Sequence, residues 1–132
     1  TDKEVRSQLV KVNNKIKELT GQTPAIMRPP YGSYNDDVSA VAAKQGLSAI
    51  NWNVDTLDWK YRNATVVTNS VLSNVKDGDI ILMHDIHDTT ATAAENIVPA
   101  LIERGFQLVT IDELAYYKNK TLLPGVAYSR IR

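Results

Sequence analysis

Histidine and aspartate stand side by side in "HDIHD", residues 84 to 88, directly after the apolar run "IILM". An imidazole next to carboxylates suits proton transfer near neutral pH, because a neighbouring negative charge favours the charged ring. Two other stretches carry comparable chemistry. "DTLDW" supplies Asp55, Asp58 and Trp59, and "RPPYG" sets Arg28 ahead of two φ-locked prolines, Tyr31 and a glycine. His84, with Asp58 or Asp85 beside it, is a candidate general acid. Plainer readings stay open at this level: Arg28 as a structural ion pair and Trp59 as core.

"HDIHD" also contains metal-ligand types. With His84 ending a strand and His87 in the loop beyond it, the two imidazoles lack the helical register that converges on one ion, and no second cluster completes a shell. The chain has no G-x-S-x-G motif and no phosphate-cradling glycine loop, which sets aside triad hydrolases and P-loop enzymes.

These residues need elements to position them. Thr1 and Glu4 have capping-box spacing, and Val5, Leu9, Val12, Ile16 and Leu19 follow at helical steps before Gly21, which predicts an amphipathic helix. A short strand over 25 to 28 leads through a loop to Asn35, a helix cap, and a helix carrying Val38, Val41 and Ala42 up to Gly46. Residues 47 to 55 read as a strand, about 64 to 75 as a helix with Val67, Val71, Leu72 and Val75 on its apolar side, and 80 to 84 as a buried strand. A helix over 91 to 104 with Ile97, Val98, Leu101 and Ile102, a strand at "FQLVT" and a capping box of Thr110 with Glu113 complete the order. Strands alternating with crossover helices pair in parallel, so the class is α/β. In such folds functional groups gather where strands end, which is where Arg28, Asp58 and His84 fall.

Four strands cannot close a barrel that takes about eight strands and roughly 250 residues. The 132 residues, 43% hydrophobic, suit one domain or a large piece of one. The expectation is that a segment precedes Thr1. Fifteen basic residues balance fifteen acidic ones without a charge block, which argues against nucleic acid as partner and against a membrane-binding surface in this segment. No cysteine is present, so disulfides and thiolate metal sites are excluded.

The three strand-end segments "RPPYG" at 28 to 32, "DTLDW" at 55 to 59 and "ILMHD" at 81 to 85 resemble, in order, the third, fourth and fifth motifs of the NodB-like polysaccharide deacetylases, carbohydrate esterase family 4. Within that family the "MRPPYG" and "ILMHD" forms are most similar to bacterial peptidoglycan deacetylases. The resemblance implies the C-terminal part of a distorted (β/α) barrel over residues 1–117, with a tail, 118–132, packed on it. It implies a metal-dependent hydrolase that removes N-acetyl groups from cell-wall amino sugars. Carried over by position, His84 would protonate the departing amine, with Asp58 orienting it and raising its pKa. Arg28 would hold the catalytic aspartate base. Tyr31 would offer its backbone N–H to the oxyanion, with Pro30 and its proline neighbour fixing that loop, and Trp59 and Leu82 would line a small pocket for the acetyl methyl. Asp55 and Asp85 would support neighbouring loops.

The family's first motif, T-F-D-D-G-P, and its second, H-[ST]-x-x-H, supply the base and the metal ligands, and neither occurs here. The expectation is a divalent metal, zinc by resemblance, bound by residues outside this chain, with a missing N-terminal fragment of the same domain as partner and the chain inactive alone. The implied location is extracellular or cell-surface in a bacterium, anchored through a region outside this chain. The alternative is a non-catalytic glycan-binding module that keeps a groove of Trp59, Tyr31 and Tyr34.

Overall fold

The computed structural model describes residues 2–132, so the Thr1 cap lies outside the described residues. By its contacts the chain divides into two compact units: the stretch up to Asn51 with Thr121–Ser129, and Trp52–Lys120 with Arg130–Arg132.

In the first unit, helix α1 (Asp2–Thr20) packs on helix α2 (Asp36–Lys44). Of the α1 stripe, Val5 and Leu9 are partly covered, whereas Val12, Ile16 and Leu19 are exposed. α2 starts where its sequence says it should: the Asn35 side chain accepts the Val38 N–H at 3.0 Å, and Asp36 and Asp37 sit in the positive first turn. Strand β1 (Ile26–Met27) pairs in parallel with β2 (Ser48–Ile50), all of whose residues are buried. The other neighbour of β2 is β5 (Ala127–Tyr128), also parallel. Gly125 brings this strand in against α2. Its φ of +78° is a glycine conformation, and a Cβ there would stand 2.7 Å from the Ala43 methyl.

In the second unit, β3 (Val54–Asp55) pairs in parallel with β4 (Ile81–Leu82). Short helix α3 (Asp58–Tyr61) follows β3, and α4 (Ala64–Asn74) is capped by Asn63. The core forms between α4 and α5 (Asp88–Glu103), where Val67, Val71, Ala93, Ile97 and Leu101 are buried against Met83 and Phe106. α6 (Ile111–Tyr117) opens with the Thr110/Glu113 capping box. The last residues clamp this unit: the Ile131 N–H donates to the Gly78 carbonyl at 2.8 Å, and Arg132 meets Asp79 at 2.6 Å.

Two sequence expectations need correction. "FQLVT" is no strand: no ladder partner pairs with it among the described residues, and Phe106 serves as a core side chain instead. The 47 to 55 run is two strands, because Asn51 to Asn53 leave the ladder; Asn53 turns its side chain to Asp79 and to the Ile80 N–H. Within the stretch expected as an extended tail, Ala127–Tyr128 form a strand.

Candidate active site

β3 and β4 run side by side, so the residues that follow them emerge together at their C-terminal ends. Thr56 is 1% exposed, and its hydroxyl donates to the Leu82 carbonyl at 2.9 Å and staples the two ends. Asp55 then shapes the turn by accepting the Leu57 N–H at 3.0 Å. Leu57 takes a left-handed φ of +51°, a conformation that costs a non-glycine residue about 1–2 kcal/mol, and α3 begins at Asp58. Strain of this kind persists only where surrounding contacts enforce it.

Asp58 is fully buried. Its Oδ1 lies 2.7 Å from His84 Nδ1 and accepts the Trp59 N–H at 2.9 Å. Its Oδ2 accepts the His84 N–H at 2.6 Å and the Thr90 hydroxyl at 2.9 Å. Burial pushes this carboxyl up, but the bonds from the His84 ring, the His84 backbone, Thr90 and Trp59 together hold it below the usual carboxylate range. The group is therefore ionised at neutral pH and can only accept. The shared proton consequently sits on His84 Nδ1, which leaves Nε2 as the ring atom that can give or take one. The His84 side chain is 37% exposed against 1% for Asp58, so the ring spans from buried anion to solvent.

Among the other expected residues of this unit, Trp59 is half exposed on α3 rather than core, and Leu82 is buried on β4 with its carbonyl held by Thr56. Asp85 is exposed in the turn after His84, and His87 is the cap position of α5 without a side-chain capping bond. Arg28, Pro30 and Tyr31 belong to the first unit. Arg28 Nε donates to the Ile50 carbonyl at 3.0 Å. Pro30 opens a 3-10 turn, Pro30–Gly32, in which Tyr31 has φ +58° and a fully exposed ring. The hydrogen bonds of that turn run from Gly32 N to Pro29 O and from Ser33 N to Pro30 O, so neither uses the Tyr31 N–H. Tyr34 has a buried hydroxyl without a partner among the described residues.

Sequence reasoning missed Thr56 and Thr90. Both are buried threonines whose hydroxyls hold the Asp58–His84 arrangement, and a threonine within a motif or just after one carries no mark that separates it from its neighbours.

The polysaccharide deacetylase profile matches residues 1–50. The peptidoglycan-N-acetylglucosamine deacetylase PgdA of Listeria monocytogenes is 49% identical over 111 residues, 84% of this chain and 23% of the relative. The chain belongs to the polysaccharide deacetylase family. A second polysaccharide deacetylase, the peptidoglycan-N-acetylmuramic acid deacetylase PdaC of Bacillus subtilis, is 36% identical over 89% of this chain and 25% of its own length. The PdaC structure superposes with a TM-score of 0.83, covering 90% of this chain and 57% of that one. A family 4 acetyl xylan esterase from Clostridium thermocellum, solved with a cobalt ion, gives a TM-score of 0.89 at 26% identity over 98% of this chain and 64% of that one. The chain thus spans about a quarter of the length of PgdA and of PdaC. Its parallel strands and intervening helices are part of the polysaccharide deacetylase (β/α) barrel.

Among the described residues, no three His, Asp or Glu side chains gather closely enough to hold a metal ion. Both Asp58 oxygens and His84 Nδ1 are engaged with each other or with Trp59 and Thr90. The described side chains do not by themselves fit a metal shell.

Proposed function

We propose that this chain supplies the general-acid side of a metal-dependent deacetylase that removes N-acetyl groups from peptidoglycan amino sugars. The observation that carries the reading is the buried Asp58 carboxylate holding His84 by both its ring and its backbone, at the ends of two paired parallel strands. Loss of an amine from a tetrahedral intermediate requires a proton at nitrogen. The proton on His84 Nε2 passes to the amine as the C–N bond breaks, leaving acetate and a free amino sugar, and Asp58 balances the positive ring until then.

The remaining roles follow from the family resemblance. Arg28 holds an aspartate base that lies outside this chain, Pro30 and its proline neighbour fix the turn, and the Tyr31 N–H faces the oxyanion. The left-handed φ of Tyr31, in a turn that leaves its N–H unused, supports that part of the reading. Trp59 and Leu82 border the acetyl methyl. A divalent metal, zinc by resemblance, is held by residues of a segment outside this chain, and the chain has no activity alone. Residues 1–117 then form the C-terminal portion of the deacetylase domain, with 118–132 as its tail, in a protein at the surface of a bacterial cell and anchored through a region outside this chain.

The test is acetate release from N-acetylated peptidoglycan fragments by the full-length protein, before and after chelation and after zinc is restored. Release that chelation abolishes and zinc restores supports the proposal. Glycan binding without release under any of these conditions overturns it in favour of a non-catalytic module.

A further inference from the structure

Thr90 stands in the first turn of α5, six residues beyond His84, and is 4% exposed. Its hydroxyl donates to Asp58 Oδ2, the oxygen that also takes the His84 backbone N–H. One carboxylate oxygen therefore ties together the two ends of the loop that carries His84: the backbone where the loop leaves β4 and the side chain where it enters α5. We infer that Thr90 is a positioning residue for the proton-transfer pair, fixing Asp58 so that Oδ1 stays aligned with His84 Nδ1.

The physical case rests on division of labour at the carboxylate. Oδ1 holds the ring and the Trp59 N–H, and Oδ2 holds the loop. The other three donors belong to Asp58's own sequence neighbour or to His84 itself. Thr90 is the donor that comes from the following helix, and so the one that references the pair to the packed α4–α5 core, where its near neighbour Ala93 is buried. A buried carboxylate that loses one of four donors retains its charge and seeks a replacement, and the nearest route is rotation about χ1 or χ2, which carries Oδ1 off the imidazole. A methyl in place of the hydroxyl fills the volume and supplies no donor. Serine supplies the donor and lacks only the methyl.

This inference rests on the deacetylase reading only for its kinetic arm. The test compares Thr90→Val and Thr90→Ser in the full-length protein. The first readout is acetate release from an N-acetylated glycan oligomer. The second is the ring N–H signal of His84 in protein labelled with 15N-histidine, assigned by its absence in His84→Gln. Thr90→Val is expected to lower kcat about tenfold to a hundredfold with KM within twofold. It should also shift or broaden the His84 Nδ1–H signal through faster exchange. Thr90→Ser should restore kcat to within about threefold of the parent and restore the signal. Thr90→Ser as impaired as Thr90→Val overturns the inference, because the methyl rather than the hydroxyl would then matter. An unchanged ring signal in a folded Thr90→Val protein overturns it as well. If the parent releases no acetate, the functional reading fails while the ring signal still decides the role of Thr90.

Discussion

His84 Nδ1 lies 2.7 Å from Asp58 Oδ1, and the backbone N–H of the same histidine lies 2.6 Å from Asp58 Oδ2. One carboxylate therefore fixes both the ring and the main chain that carries it. The ring cannot rotate without breaking one charge-assisted bond, and the loop cannot shift without breaking the other. The pair is held by α3 and the end of β4, elements that the parallel β3–β4 ladder keeps in register. A side chain so fixed keeps Nε2 at one place relative to a bound substrate, which general acid catalysis requires.

Asp58→Asn should be strongly destabilising at neutral pH, by about 3–5 kcal/mol, because it removes the anion of a buried pair and turns an acceptor into a donor that faces N–H groups. The pH dependence has a definite sign. The folded-state carboxyl sits below its ordinary value of 3.8, so its contribution is complete above that value and fades as the pH falls through the lower folded one. Urea unfolding of parent and variant should therefore show a stability gap that is widest near neutrality and narrows in acid below about pH 4. A gap of constant size across that range would contradict the assignment.

Tyr31 should matter through its backbone. The ring is fully exposed, so Tyr31→Phe is expected to leave acetate release within about threefold of the parent and stability within about 0.5 kcal/mol. Tyr31→Val places a β-branched residue at φ +58°, a region that β-branched side chains tolerate less well than the tyrosine already there, and should cost about 1 kcal/mol. Thermal unfolding of the two variants checks the contrast, and equal stability would show that the left-handed turn is not enforced.

Gly78→Ala tests the C-terminal clamp of the second unit. A Cβ on Gly78 would fall 2.1 Å from the Ile131 carbonyl oxygen, at a backbone φ of +84°. The substitution should destabilise by more than about 1 kcal/mol and expose the last residues to carboxypeptidase, since Ile131 would lose its bond to the Gly78 carbonyl. Unchanged digestion kinetics would mean that the end of the chain is held by other contacts.

Local signals are legible in the amino-acid order alone. The Asn35 cap and the Thr110/Glu113 box are defined by residues three apart, and both are present as the spacing predicts. The apolar spacing of Val67 and Val71 likewise marks the buried face of α4. Non-local pairing is less legible. "FQLVT" has strand composition, but a strand exists only with a partner, and Ala127–Tyr128 become one because β2 offers an edge. At the site, His84 and Asp58 stand out by residue type. Thr90 does not, because Thr89, Thr90 and Thr92 look alike in sequence and only the phase of α5 turns one of them onto a carboxylate 32 residues away.

Whether His84 gives its proton to the leaving amine is decided by changing the leaving group. The measurement is hydrolysis by full-length parent and His84→Gln proteins of an N-acetyl amino sugar and of an activated aryl acetate, whose phenolate departs without protonation. His84→Gln is expected to lose about 10² to 10⁴ in rate on the amide and less than about tenfold on the ester. Equal losses on the two substrates, or an amide rate within about threefold of the parent, would contradict it.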